Sequence, residues 1–414
     1  MAGMEVWMPF NGTEVYARIP DERFMETVKP PEGETVNLNQ AVDIALKPVD
    51  ELGFNKGKRV AVAVRPSLEA DALKATLTAL LEGLVNRGFP VENIDVYFSQ
   101  ALEVVNPPLN MGVEGFGRLL VHRAESQPFT EAPGGVRLNR MFMEADVKVA
   151  LGVFEASYLS GYVGAPHAVF PGLTDLEAAA NILKEVCQVE PWRVEEKALK
   201  TSRDYVKICE EIPVDLALNV IACKGNVYGL FHGKVGEAFS QAWTAYKRLF
   251  QKPLTGEPAI VLASAGGSPY DDRLTGLVQT VSNVGSALKE GGSVIAVCEC
   301  GSWTMDKSSL EYLIEPKPNR SVGRIEDLTA RGLALTVDRL RERMDLCLVS
   351  VIPNYYVRRG LKVRFSRTLN GALQTTMNRL KVGGIAAVED GYHVQLKTAT
   401  HMDSTTGNSL LRQG

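Results

Sequence analysis

The chain has 414 residues, 45% of them hydrophobic and 23% charged, and carries a formal net charge of −4. That length provides for two or three domains, while the slightly acidic balance excludes a basic field for nucleic acid. No apolar run approaches the roughly 20 residues that span a bilayer, so no membrane association is expected.

The N-terminal segment MAGMEVWMPFNGTEVYARIP has neither a basic n-region nor an apolar h-region, and a cytoplasmic location is the expectation. Residues 5–19 alternate about Asn11-Gly12, the pattern of a hairpin with an Asn-Gly turn. A helix is expected over 39–52, stopped by Gly53. RVAVAV at 59–64 is almost continuously apolar, as in a strand buried on both faces of a parallel sheet. Leu73, Leu77, Leu80, Leu81 and Leu84 give 69–87 one apolar helical face, and 94–98 reads as the next strand. A strand–helix–strand succession of this kind predicts a parallel sheet.

Between 119 and 146 the pattern loosens, and the apolar run 147–154 restores it as a buried strand. The stretch 149–182 is where function is expected. Gly161, Gly164, Pro166, Pro171 and Gly172 make a flexible connection, after which Thr174-Asp175-Leu176-Glu177 opens a helix with an N-cap and acid in its first turn. Such a turn offers backbone N–H groups and a positive dipole end to an anion, which makes Gly161, Gly164 and Gly172 cofactor-binding candidates. The same glycines would equally serve close packing alone.

The segment 190–211 is charged and partly helical, strands at 216–222 and 226–231 are joined by Cys223-Lys224-Gly225, and a helix covers 235–250. QKPLTGEP at 251–258 reads as a linker. A second block follows, with strands at 259–263, 294–297, 346–352 and 385–388 and helices at 273–288, 333–343 and 369–380. The fold class is therefore α/β, with two domains each built on a largely parallel sheet flanked by helices. Their bounds are 1–252 and 257–393, and the polar tail 394–414 is either disordered or laid back on the first domain. Cys187, Cys209, Cys223, Cys298, Cys300 and Cys347 form no CxxC pair, and reduced, buried thiols are expected rather than a metal site.

Several segments together resemble the nickel-pincer lactate racemase family along nearly the whole chain. They are IPDE at 19–22, VRP at 64–66, FSQALE at 98–103, LNRMFMEADVKVALG at 138–152, GYVGAPHAVFPG at 161–172, SAGGSPYDD at 264–272 and ALKEGGSVIAVCECG at 287–301. The resemblance implies a cleft between the two domains and a sulfur-rich, nicotinate-derived nucleotide holding nickel in a pincer. In that family the cofactor takes a hydride from the carbon bearing the substrate hydroxyl, two histidines move the hydroxyl proton, and basic groups hold the carboxylate.

At the family's key positions this chain carries other residues. The first acid/base histidine, in a pattern like ATGLH, is replaced in SQALE by Glu103; the second, in a pattern like G-x-x-E-P-H, is replaced in GVFEAS by Ser157. His167 in GAPH stands where a lysine tethers the cofactor, and Ile182 stands near the nickel-ligating histidine. Gln279 stands at the carboxylate-binding lysine, and only the substrate-site arginine has a counterpart, Arg65. Isoleucine offers nickel no donor, so no metal ligand set is assigned.

The replacements still carry chemistry. Glu103 and His167 move protons near neutral pH if their surroundings shift them suitably. Ser157 and Tyr158 can donate to an oxyanion, Arg65 can grip a carboxylate, and Asp271 and Asp272 can orient a hydroxyl or bind a hydrated cation. His122 is expected to be structural. Three readings stand: a divergent racemase or epimerase of a small anionic 2-hydroxy acid; a nickel-independent dehydratase or epimerase using Glu103 and His167; or a non-catalytic binding or assembly protein on the same scaffold. A homo-oligomer is open under each.

Overall fold

A computed structural model describes residues 3–50, 57–101, 115–126, 128–316 and 323–398. The chain forms two compact units. One comprises Glu32–Leu249 and Lys317–Leu335; the other comprises Met1–Pro31, Phe250–Pro316 and Thr336–Gly414. Compactness and chain order thus divide the chain at different places, because the N-terminal residues are built into the unit that follows residue 250. Strands β1 (Gly3–Phe10) and β2 (Thr13–Pro20) form the expected hairpin, with Asn11 in the left-handed region at its turn. Their inward residues Val6, Met8, Ala17 and Ile19 pack in one core with Ile260, Leu262, Ile295 and Ile385. Strand β3 (Phe24–Val28) then becomes an edge of that unit's sheet.

In the Glu32–Leu249 unit the strands are β4 (Val60–Val64), β5 (Ile94–Phe98), β6 (Leu119–Val121), a hairpin of β7 (Phe129–Ala132) and β8 (Val136–Asn139), and β9 (Val147–Val153). A second small hairpin joins β10 (Glu155–Ser157) to β11 (Gly161–Val163), and β12 (Leu216–Cys223) leads into β13 (Asn226–Gly233). The main sheet has the order β13-β12-β9-β4-β5-β6, parallel except for β13. Every residue of β4, β5, β9 and β12 is buried, which is why these strands read as mostly apolar runs, interrupted by Asp95, Lys148 and Asn219. The helix Ala70–Asn86 covers one face with the five leucines anticipated from their spacing.

The other unit contains β14 (Gln251–Leu254), β15 (Ile260–Ser264), β16 (Ser293–Val297), β17 (Asp345–Val349), β18 (Arg364–Ser366), β19 (Ile385–Val388) and β20 (Gln395–Thr398). Its sheet runs β18-β17-β16-β15-β19-β3, parallel throughout.

Three sequence expectations need correction. The segment expected as a linker begins with β14, which pairs in parallel with β20, the described part of the tail. Pro253 is tolerated there because the pair has only two strands and leaves backbone N–H groups on one side unneeded. The helix expected over 39–52 is two pieces, Leu38–Ala45 and Lys47–Asp50, and Leu52 and Gly53 lie outside the described residues. The connection after β9, expected to be flexible, is buried from Glu155 to Phe170 and folds into the β10–β11 hairpin and a helical turn, Pro166–Val169.

Candidate functional site

The order of the first sheet creates one special place. From β4 the chain moves outward through β5 and β6, then returns to the other side of β4 as β9, so connections leave β4 and β9 in opposite directions. A crevice opens outside the carboxyl ends of strands at such a switch point, and ligands of open α/β sheets bind there. The first residues past β4 are Arg65, Pro66 and Ser67; past β9 come Phe154 and Glu155.

Arg65 and Glu155 meet at this point. The Arg65 Nη1 donates to Glu155 Oε1 at 2.7 Å, with only 2% and 6% of the two residues exposed. Glu155 Oε2 accepts from the Ser67 hydroxyl at 3.1 Å, and Ser67 Oγ accepts from the Glu69 N–H. The Glu69 carboxylate in turn receives the Lys224 and Gly225 N–H groups at 2.8 and 2.9 Å, tying the carboxyl end of β4 to the β12–β13 turn. A buried ion pair of this kind is neutral as a unit, and its arginine is already gripped.

His167 sits on the short helical turn Pro166–Val169 and is 4% exposed. Burial, with the Arg65 charge adding to it, pushes its pKa down to about 3, so the ring is neutral across the physiological range. The Gly164 N–H donates to Nδ1 at 3.3 Å, which leaves the proton on Nε2, and Nε2 has no hydrogen-bond partner among the described residues. The backbone around it is held by Asn219 on β12, whose Oδ1 accepts from Ala165 N–H at 2.8 Å. A side chain at Gly164 would place its Cβ 2.3 Å from that Oδ1, and one at Gly172 would lie 2.4 Å from Ala168 O. Gly161, with φ +90, has Ala198 N only 2.4 Å from where a Cβ would lie. The three glycines are explained by close approach of backbone at Gly161 and Gly172 and of the Asn219 side chain at Gly164.

The anion-binding geometry anticipated at the next helix is filled from within. Helix Leu176–Val186 is capped by Asp175, which accepts from Ala178 N–H and pairs with Arg137 at 2.8 Å. His122 is structural as expected: Nε2 lies 2.8 Å from Thr174 O, Nδ1 lies 3.3 Å from the Asn139 amide, and burial lowers its pKa to about 4.

A cavity of about 10 Å³ is lined by Arg65, Gln100, Ser160, His167 and Ile182, among others. That volume admits one water-sized group. Of the residues singled out in the sequence, Arg65 and His167 come together here. Ser157 Oγ accepts from the Leu159 and Ser160 N–H groups and closes the β10–β11 turn, and the Tyr158 carbonyl accepts from Lys197 Nζ. Asp271, Asp272 and Gln279 belong to the other compact unit. There Asp271 Oδ2 accepts from Asn11 N–H at 2.7 Å, Asp272 accepts from Ser268 Oγ, and Gln279 Nε2 donates to Asn283 Oδ1. Glu103 lies outside the described residues. Glu155, Gln100 and Asn219 went unnoticed in the sequence. The signal for Glu155 was its place just past a buried strand on the opposite side of the switch point from Arg65.

The family's pincer nucleotide needs a nickel donor where Ile182 stands, and is tethered, though it can bind without the tether, by an amine where His167 stands. Ile182 offers the cavity only carbon, and His167 is a neutral imidazole with no amine chemistry. The residues present do not fit that group, and no step is drawn through it.

No family model matches the chain. A curated lactate racemase from Thermoanaerobacterium thermosaccharolyticum is 23% identical over 254 residues, which is 58% of this chain and 59% of that protein. The match thus spans less than two thirds of the relative's length. The apoprotein structure of lactate racemase from the same organism superposes with a TM-score of 0.76 at 19% identity, over 95% of this chain and all of that one. A crystal structure of a Thermotoga maritima protein aligns with a TM-score of 0.58 at 14% identity, over 88% of this chain and all of that one. Fold and site define an α/β protein of two parallel-sheet units, with a buried Arg–Glu–His arrangement at the switch point of the first sheet. The chain is similar in sequence to that lactate racemase over part of its length and shares the fold of its apoprotein. Among the described residues no helix is long and apolar enough to cross a membrane.

Proposed function

We propose that this chain is a nickel-independent isomerase of a small 2-hydroxy acid, acting by proton transfer at the carbon that bears the hydroxyl. The observation that carries the reading is His167, a lining residue of the Arg65 cavity, whose buried Nε2–H has no partner among the described residues. A ring with its pKa near 3 does not accumulate a proton at neutral pH, so His167 acts as a neutral hydrogen-bond donor to a substrate oxygen rather than as a base. Glu103 is the proposed base. Its carboxylate takes the C2 proton, the electron pair moves onto the substrate carboxyl group, a solvent water gives a proton to the other face to form the inverted centre, and Glu103 returns its proton to solvent.

The test follows C2 in deuterated water with metal-depleted protein. Proton transfer exchanges the C2 hydrogen with solvent, and Glu103→Gln abolishes the exchange. Retention of the original hydrogen during isomerisation would refute the route. The neutrality of the Arg65–Glu155 pair favours one other reading, a binding protein that holds a hydroxy acid without turning it over; binding without any exchange at C2 would select it.

A further inference from the structure

Two residues that line the Arg65-lined cavity each carry a buried polar atom without a partner among the described residues, and the two atoms are of opposite kind. Nε2 of His167 is a donor, since the Gly164 N–H occupies Nδ1. The Gln100 side chain is oriented by its own bond, Nε2 donating to Thr174 O at 3.3 Å, which leaves Oε1 buried and unpartnered as an acceptor. Gln100 is held in place through its backbone as well, its N–H donating to Gly172 O. Both residues line the one cavity of about 10 Å³, room for a single oxygen.

A lone buried donor beside a lone buried acceptor is satisfied by a group that both accepts and donates. A hydroxyl does so. A carboxylate or ketone oxygen accepts only, and would leave Gln100 Oε1 facing another lone pair. The charge of the wall points the same way, because the Glu155 carboxylate, itself held by Ser67, already neutralises Arg65 and no net positive charge is left to draw an anion in. We propose that this cavity is a hydroxyl pocket, in which His167 Nε2–H donates to, and Gln100 Oε1 accepts from, the hydroxyl of a small hydroxy acid. The substrate class is thereby set by its hydroxyl, and the carboxylate is bound outside this cavity. The inference deepens the function proposed above and rests on its choice of site.

A site built to hydrogen-bond a hydroxyl rejects the analogue that lacks it, because its own buried groups are then left unpaired. Calorimetric titration of the full chain with L-lactate, D-lactate and glycolate, each against its deoxy partner propionate or acetate, reads this directly. At least one hydroxy acid should bind about tenfold or more tighter than its partner, and pyruvate should fall with the deoxy acids. In Gln100→Leu the preference should shrink to about twofold or less, and His167→Phe should do the same. Gln100→Asn, which withdraws the acceptor by one methylene, serves if the leucine variant does not fold. Equal binding of hydroxy and deoxy acids, no binding of any hydroxy acid, or a preference that survives in both variants would overturn the pocket. So would a resident water that keeps its place when a hydroxy acid is bound. Hydroxyl preference without C2 exchange would sink the proposed reaction and leave the pocket standing; C2 exchange without the preference would do the reverse.

Discussion

Replacing Glu155 by Gln should weaken the fold and strengthen anion binding at once. Glu155 and Arg65 are both almost wholly buried and joined at 2.7 Å, so the neutral amide leaves a guanidinium charge in the interior with its partner gone. Breaking a buried pair from one side costs about 3–5 kcal/mol. For a unit of this size that corresponds to a fall of roughly 6–20 °C in melting temperature. The same change frees the arginine, so chloride, sulfate or a small carboxylate should recover part of the loss in Glu155→Gln and do little for the parent protein. Differential scanning calorimetry across an anion series tests both halves. A variant as stable as the parent, or one indifferent to anions, would refute the view that Glu155 closes the Arg65 site.

Other outcomes follow from the geometry. Folded His167 has a pKa near 3 against an unfolded value near 6.5, so the unfolded chain binds the extra proton first and stability falls as pH drops from about 6.5 towards 3. His167→Gln should flatten part of that decline in acid titrations followed by circular dichroism; an unchanged slope would mean that the ring titrates normally. Gly161→Ala forces a side chain at φ +90 against Ala198 N and should cost at least about 2 kcal/mol in denaturant unfolding. Maleimide labelling of native protein should find Cys187 and spare the buried Cys209 and Cys298, whose thiols burial raises above the usual range. Rapid labelling of Cys298 would contradict its burial.

Much of the architecture was legible because buried parallel strands leave an unmistakable trace. The runs 60–64, 149–154 and 385–388 are continuously apolar, and they fall within or across β4, β9 and β19. What failed was any inference that depended on a partner distant in sequence. The 251–258 segment looks like a linker until β20, some 140 residues later, supplies the strand that pairs with it. The glycines at 161–172 suggested mobility because close approach of backbone from Ala198 or a side chain from Asn219 has no local signature. Arg65 and His167 were found through their place in motif-like segments. Glu155 and Gln100 were not, since a glutamate or glutamine past a strand is common and gains meaning only once strand order shows what it faces.

The central claim, isomerisation by proton transfer without nickel, is tested most directly by incubating metal-depleted protein with one enantiomer of a small 2-hydroxy acid in deuterated water and following C2 by proton NMR. The account predicts that deuterium enters C2 as the opposite enantiomer appears, at a rate unchanged by chelator or added nickel and lost in Glu103→Gln. Inversion that keeps the original hydrogen and requires nickel would contradict it.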